Sequence, residues 1–270
     1  MRGMQTALEH HARAKLLGLL LCPLMAGCSN SAPVPDGGQP HSGSPDAGTY
    51  QLLGATNTVL ATDGTPVAGA TVCILGYPSI PCATADGAGA YSIQVPVPFA
   101  GDAGLDVAMN ATAMGYLGTT VLLTETCVPG LCGVISPSFR LLDDTTASGL
   151  LGTQAGFAFP NAGRAFVQVS IFHLSGGAEI GTTLSLSPSS PDGGPVYVSD
   201  AGVPDPTLTS ITAEANAYFG NVPPGNIQVT ASGTCVPTVL SADAWASTTP
   251  HTISGVATAG SMTFMTLICQ

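Results

Sequence analysis

Residues 63–95, DGTPVAGATVCILGYPSIPCATADGAGAYSIQV, decide the fold of this chain. Apolar side chains alternate with other residues over positions 70–75 and again over 91–95, so each segment is predicted to be a β-strand with one buried face. Aspartate precedes glycine at Asp63-Gly64 and at Asp86-Gly87, a pairing typical of tight turns. The stretch therefore predicts short strands joined by tight turns.

The same period-two pattern returns at residues 166–171 and 226–230, which are also predicted to be half-buried strands. The chain is 45% hydrophobic and only 8% charged, with 34 glycines and 22 prolines, a composition that suits short strands and turns. The sequence predicts an all-β protein with two tandem β-sandwiches, at residues 50–142 and 143–270.

A short internal sequence repeat supports two similar domains. Residues 84–91, TADGAGAY, resemble residues 212–218, TAEANAY, and each segment is followed by an alternating strand or a proline-containing turn. In this alignment Gly89 matches Asn216, and both residue types tolerate a left-handed backbone. The same turn is therefore expected in both copies.

Two motifs carry a resemblance to a known family. Residues 64–72 have the pattern G-x-P-V-x-G-A-x-V, and residues 84–91 have the pattern T-x-D-x-x-G-x-Y. Together they resemble the carboxypeptidase regulatory-like domain. The resemblance implies a seven-stranded, Ig-like or transthyretin-like (prealbumin-like) β-sandwich of the carbohydrate-binding-like fold, in which Tyr91 fills the core. The second copy matches the closing motif over residues 212–229, and its opening motif is degenerate.

The N-terminus is predicted to be a signal peptide, residues 1–27. Basic residues precede a short apolar run over residues 16–21, and the small pair Ala26-Gly27 comes directly before Cys28. This order resembles the lipobox of bacterial lipoproteins, which implies that the Cys28 thiol carries a diacylglycerol that inserts into the lipid bilayer. By the sorting rule of such lipoproteins, Ser29 implies the outer membrane. An ordinary signal peptide with a chance cysteine is the alternative.

Residues 28–49 are rich in proline, glycine and serine and lack apolar periodicity, so we expect a flexible tether between the lipid and the first sandwich. Without residues 1–27, Arg140 and Arg164 are the only basic residues against 15 acidic ones, a net charge of −13. A nucleic-acid partner is excluded, because nothing would neutralise its phosphates. Binding to anionic lipid headgroups is excluded for the same reason.

Six cysteines remain once Cys22 leaves with the signal peptide and Cys28 takes the lipid. An even number of cysteines in an exported chain predicts disulfides. Zinc is the alternative at residues 127–132, but no second close cysteine pair or nearby histidine would complete four ligands. Clustering along the chain suggests the following pairs: Cys73–Cys82, Cys127–Cys132 and Cys235–Cys269.

The sequence contains no recognisable catalytic motif. It has no H-x-x-E or H-E-x-x-H zinc pattern, since neither His173 nor His251 is followed by the required residues, and no G-x-S-x-G elbow. We therefore expect no enzymatic activity, no cofactor and no metal site. Asp102, Asp106 and the Asp143-Asp144 pair could offer oxygen ligands to calcium, but no loop has the EF-hand pattern.

Three functions remain in view. The first is a non-enzymatic lipoprotein of the cell envelope, periplasmic or surface-exposed, that mediates adhesion or interaction with another envelope protein. The second is polysaccharide binding, with Tyr197 and Trp245 as candidate ligand-binding residues. Exposure of Tyr77, Tyr197 and Tyr218 would support it and their burial would count against it. The long polar segment 187–206 would suit binding or would be a disordered insertion. The third is an accessory subunit of an exported enzyme, which requires a large apolar patch.

Overall fold

The structure is a computed structural model, and it describes residues 50–269 apart from 101, 129–130, 162, 233–234 and 236–243. The signal peptide, Cys28 and the tether lie outside the described residues. The described residues belong to one compact unit. Within them, no helix is long and apolar enough to cross a membrane.

Nearly all regular structure in the described residues is β-strand, so the predicted all-β class is confirmed. The strands, in chain order, are β1 (Gln51–Ala61), β2 (Thr71–Leu75), β3 (Ala83–Thr84), β4 (Ala90–Val97), β5 (Leu105–Thr112), β6 (Tyr116–Glu125), β7 (Cys127–Val128), β8 (Leu131–Cys132), β9 (Phe139–Asp143), β10 (Ala165–His173), β11 (Leu184–Ser187), β12 (Val196–Val198), β13 (Pro204–Asp205), β14 (Asn216–Val222), β15 (Gly225–Ala231), β16 (Trp245–Ala246), β17 (Thr252–Ala257) and β18 (Ser261–Cys269). A short helix, α1 (Asp144–Ala147), continues into a π-helix (Ser148–Gln154).

Seven strands form the first sandwich. One sheet has the order β4-β1-β9, with β1 antiparallel to β4 and parallel to β9, and the other has the order β3-β2-β5-β6. Their inner faces share one core, in which Met109, Phe139 and Leu141 are fully buried. Tyr91 fills this core as the resemblance implies, and its hydroxyl donates to the Pro137 carbonyl at 2.6 Å.

The predicted turn before β4 forms as expected. Asp86 Oδ1 accepts hydrogen bonds from the backbone N–H groups of Ala88 and Ala90. Gly89 has a φ of 75°, and a Cβ at this position would lie 2.5 Å from the Val59 carbonyl oxygen. Glycine is required here both for its conformation and for the close approach of β1.

Strands β10 to β18 form the second sandwich. The order β13-β12-β14-β10-β18 faces the order β11-β15-β17-β16 across a core that contains Ile171, Phe219, Ile227 and Ile253. The prediction of half-buried strands is wrong for β10, because its first seven residues are all buried. The second face of this sheet is covered by the π-helix and its neighbours, through a cluster that includes Phe157.

In the structure, the residue with the left-handed backbone lies one position earlier in the second repeated turn than the sequence alignment predicts. Asn216 does not take the left-handed role of Gly89; Ala215 does, with a φ of 58°. The Asn216 side chain instead lies beside β10, where its Oδ1 accepts hydrogen bonds from Ser170 Oγ at 2.6 Å and Gln168 Nε2 at 3.3 Å. The alignment of Gly89 with Asn216 is therefore wrong, because the left-handed residue of the shorter second turn lies one position earlier, at Ala215.

A seam joins the two sandwiches into a continuous sheet. Strand β18 runs parallel to β10 along its length and also pairs with β6, residues 261–263 against 118–120. Asn110 Nδ2 donates to Thr120 Oγ1 at 3.0 Å and to Ser261 Oγ at 2.9 Å, so one buried amide connects β5, β6 and β18. The division into domains 50–142 and 143–270 stays a prediction.

Candidate functional site

The structure pairs the six cysteines as their clustering suggests. Cys73 bonds Cys82, Cys127 bonds Cys132, and Cys235 bonds Cys269, with Cα–Cα distances of 4.4, 4.4 and 4.7 Å. The first bridge holds β2 to the segment before β3. The third bridge ties the end of β18 to residue 235, and both of its cysteines are fully buried.

The structure does not place Tyr197 where a sugar could stack on it. Tyr197 is only 3% exposed, and its hydroxyl accepts a hydrogen bond from the Leu184 backbone N–H at 2.9 Å. Tyr77 and Tyr218 are also buried. The ring faces of all three tyrosines are covered by the protein itself, so the exposed aromatic surface that polysaccharide binding was expected to use is missing at these positions.

Trp245 lies at the seam. Its ring is partly buried against the second core, and its Nε1–H donates to the Leu123 carbonyl of β6 at 3.0 Å. The indole thus links β16 of the second sandwich to β6 of the first. This contact gives Trp245 a structural role.

Segment 187–206 is not a disordered insertion. It contains β12, which pairs with β14, and β13, which pairs with β12. Ser190 Oγ donates to the Gly220 carbonyl, and the Asp192 carboxylate accepts a hydrogen bond from the buried Asn221 amide. These contacts tie the segment to the end of strand β14, which the polar composition of the segment did not reveal.

The acidic residues considered for calcium make hydrogen bonds within the protein. The Asp106 carboxylate accepts from Thr124 Oγ1, and burial raises its pKa. Asp143 caps α1 by accepting from the Thr146 hydroxyl and N–H, which lowers its pKa. Among the described residues, no three His, Cys, Asp or Glu side chains converge as ligands for a metal ion.

An open, shallow groove of about 640 Å³ lies on the first sandwich, and its lining includes several hydroxyl groups. Thr56 of β1 pairs with Ser92 of β4, and both side chains are exposed. Asn57 and Thr84 add further polar groups. Backbone and short polar side chains could offer hydrogen bonds here to a partner, and the groove carries no basic residue.

The sequence analysis missed Glu125, a buried residue with an ionisable side chain. It ends β6, is only 1% exposed, and both of its carboxylate oxygens lie 3.2 Å from the Ile135 backbone nitrogen. Burial raises the pKa of Glu125 to about 7, and the Ile135 hydrogen bond opposes this only in part. The sequence did contain a signal for this position. Val121, Leu123 and Glu125 are alternate residues of β6, so they lie on the same inward face of the strand.

Six large hydrophobic side chains are exposed among the described residues: Leu52, Phe99, Met114, Ile135, Leu174 and Ile180. They lie on different strands, turns and loops. The accessory-subunit hypothesis stays a prediction.

No protein-family model matches the chain, and no curated protein is similar to it in sequence. The resemblance to the carboxypeptidase regulatory-like domain is therefore not shown beyond its β-sandwich kind of fold, which the strand order supports.

Among solved structures, the chain is similar to the Bacillus anthracis TIE protein at 9% identity, over 80% of this chain and 34% of that chain, with a TM-score of 0.26. A streptococcal ancillary pilin gives 8% identity, 80% and 62% coverage and a TM-score of 0.23. The shaft pilin SpaA from Lactobacillus rhamnosus GG gives 10% identity, 82% and 99% coverage and a TM-score of 0.24. The chain spans about a third of the TIE protein's length. Superpositions this loose carry no argument about what the chain does.

Proposed function

We propose that this chain is a non-enzymatic lipoprotein of the bacterial outer membrane, whose β-sandwiches serve adhesion or interaction at the cell envelope. The observation that carries the proposal is the set of three disulfides. Such bonds form and persist in oxidising compartments, the periplasm and the cell surface among them. They agree with the export signal and the lipobox-like Cys28 at the N-terminus.

The order of segments suits presentation away from the bilayer. Residues 29–49 would follow the acylated Cys28 as a flexible chain, and a Gly/Ser-rich chain of this length has a root-mean-square span of about 25 Å. The sandwiches begin at Tyr50, directly after it. A module on such a tether can reach partners beyond the headgroup region, and its acidic charge keeps it from adhering to anionic lipid.

The groove beside Thr56 and Ser92 is the surface that we propose for the interaction. Its exposed hydroxyl groups would suit a partner that offers hydrogen-bonding groups, and the excess of acidic residues disfavours polyanions. Polysaccharide binding through stacked aromatic rings is not favoured, because Tyr197 is buried and the Trp245 N–H is engaged at the seam.

Replacing Cys28 tests the anchor. We expect Cys28→Ser to abolish incorporation of an alkyne-labelled fatty acid and to move the protein from the outer-membrane fraction to the soluble fraction, because the thiol is the only proposed site of acylation. Labelling is read after click reaction and gel electrophoresis of the full-length chain expressed in a Gram-negative host.

Cys22→Ser is the matched control, since Cys22 lies in the predicted signal peptide. It should be labelled and fractionated like the unchanged protein. Full labelling of Cys28→Ser would overturn Cys28 as the acylated residue. Absence of labelling in the unchanged protein would overturn the lipoprotein proposal, and the oxidised sandwiches would then belong to a secreted protein.

A further inference from the structure

Glu125 occupies a position that a sandwich core normally gives to an apolar side chain. Strand β6 alternates, so that Val121, Leu123 and Glu125 point toward the first core, while Leu122 points toward the second. The partner of Glu125 across β5 is Leu105. A carboxyl group therefore lies at the end of an apolar layer, where its charged form loses the hydration it has in water.

The hydrogen bond that Glu125 accepts comes from a segment outside any strand. Residues 133–138, which we call the strap, connect β8 to β9. Side chains hold the strap at successive positions: Glu125 accepts from Ile135 N–H, Asn57 donates to the Ser136 carbonyl, and Tyr91 donates to the Pro137 carbonyl. Of these three contacts, only the Glu125 contact involves a group that gains or loses a proton near neutral pH.

The strap runs beside strand β1, from the neighbourhood of Gln51 to Ser138, which contacts Thr58. Just before it lies the Cys127–Cys132 disulfide, and the Gln51 side-chain amide is 3.6 Å from each of the two sulfurs. Gln51 is the first residue of β1, so the disulfide and the start of the strap lie at the end of the first sandwich where β1 begins.

The surrounding ionisable groups do not neutralise Glu125. Asp106 of β5 points to the opposite face, where it bonds Thr124. The cysteines of β7 and β8 are bonded to each other, and the strap has no ionisable side chain. Tyr77 lies edge-on to Tyr50 near the start of β1, and burial raises the pKa of Tyr77 to about 12, so Tyr77 stays neutral.

The two arginines of the described region are placed elsewhere. Arg140 donates to the Ala61 carbonyl at the far end of β1, and Arg164 precedes β10 in the second sandwich. The charged form of Glu125 is therefore opposed by burial and supported by a single backbone N–H.

We propose that Glu125 is the pH-sensitive clasp of the strap: the neutral carboxyl group holds residues 133–138 closed, and its ionisation, which requires water, opens them. An open strap would hydrate the end of the core and expose Cys127, the buried half of the Cys127–Cys132 disulfide. The module would then present a different surface in acidic and in neutral surroundings.

The direction follows from proton linkage. In the closed strap the pKa of Glu125 is about 7, whereas a hydrated glutamate has its ordinary pKa of 4.5. The closed form binds the proton more tightly, so closure is strongest below about pH 4.5 and weakens as pH rises toward 7. Above about pH 7 both forms are ionised, and the opening equilibrium no longer changes.

Hydrogen exchange of the strap amides, measured by NMR on the oxidised protein and corrected for intrinsic exchange rates, tests the proposal. We expect protection of the Ile135 amide to fall about tenfold or more between pH 5 and pH 7.5 and then to level off. In Glu125→Gln, which keeps a carbonyl acceptor but cannot ionise, protection should not vary with pH.

Asp106→Asn is the matched control, because it removes a carboxylate on the opposite face of the same sheet. Its strap amides should behave like those of the unchanged protein. Protection in the unchanged protein that is independent of pH would overturn the proposal even if Glu125→Gln did not fold. A pH dependence that persists in Glu125→Gln, or that disappears in Asp106→Asn, would also overturn it.

Discussion

Gly118→Ala is expected to lower the free energy of unfolding by about 2–3 kcal/mol, although it adds a single methyl group. A Cβ at position 118 would lie 2.3 Å from Ser261 Oγ and 3.2 Å from the Ala111 carbonyl oxygen. The Ser261 hydroxyl would have to leave its place, and it would lose the hydrogen bond from Asn110 Nδ2. The Asn110 amide and the Ser261 hydroxyl are both buried, so water could not replace the hydrogen bond that they lose.

Guanidinium denaturation monitored by far-UV circular dichroism measures this effect. Gly87→Ala is the matched control, because a Cβ at Gly87 meets nothing within 4 Å and the residue does not have a positive φ. Equal stabilities for the two variants would mean that β6 and β18 do not approach as closely as the structure shows.

Removing the buried Cys235–Cys269 bridge is expected to cost more than removing any other disulfide. The bridge closes a loop with a sequence separation of 34 residues, against 5 for Cys127–Cys132. Since a longer loop confines the unfolded chain more, the double variant Cys235→Ala/Cys269→Ala should lose about 3–4 kcal/mol and the double variant Cys127→Ala/Cys132→Ala about 2 kcal/mol.

The two double variants are compared by the same guanidinium denaturation, each against the oxidised parent. The Cys235–Cys269 bridge also fastens the last strand, which pairs with both β10 and β6. Its loss should therefore weaken the seam. A smaller loss for the long loop than for the short one would contradict the role assigned to this bridge.

Local patterns in the sequence predicted the local structure well. Alternation placed strands β2, β4, β10 and β15, and Asp86 with Gly89 formed the expected turn. The order of the cysteines along the chain was enough to pair them, because each bridge joins two consecutive cysteines.

What the sequence could not predict depends on distant contacts. The seam pairs residues 118–120 with 261–263, and no local pattern identifies which strand edges will meet. Tyr197 lies in a long polar segment and was a candidate for ligand binding, but β12 joins the edge of β14 and buries it. Trp245 likewise takes its role from Leu123 in the other sandwich.

The seam is the central claim of this account, and Trp245 reports on it directly. It is the only tryptophan in the chain, and its Nε1–H bonds to β6 across the seam. Guanidinium unfolding of the oxidised protein should be followed by tryptophan fluorescence and by far-UV circular dichroism together. We predict one transition with the same midpoint in both signals, because the two sandwiches share a sheet and unfold as a unit. A fluorescence transition at lower denaturant, with much of the strand signal still intact, would show that the sandwiches separate before they unfold and would contradict the account.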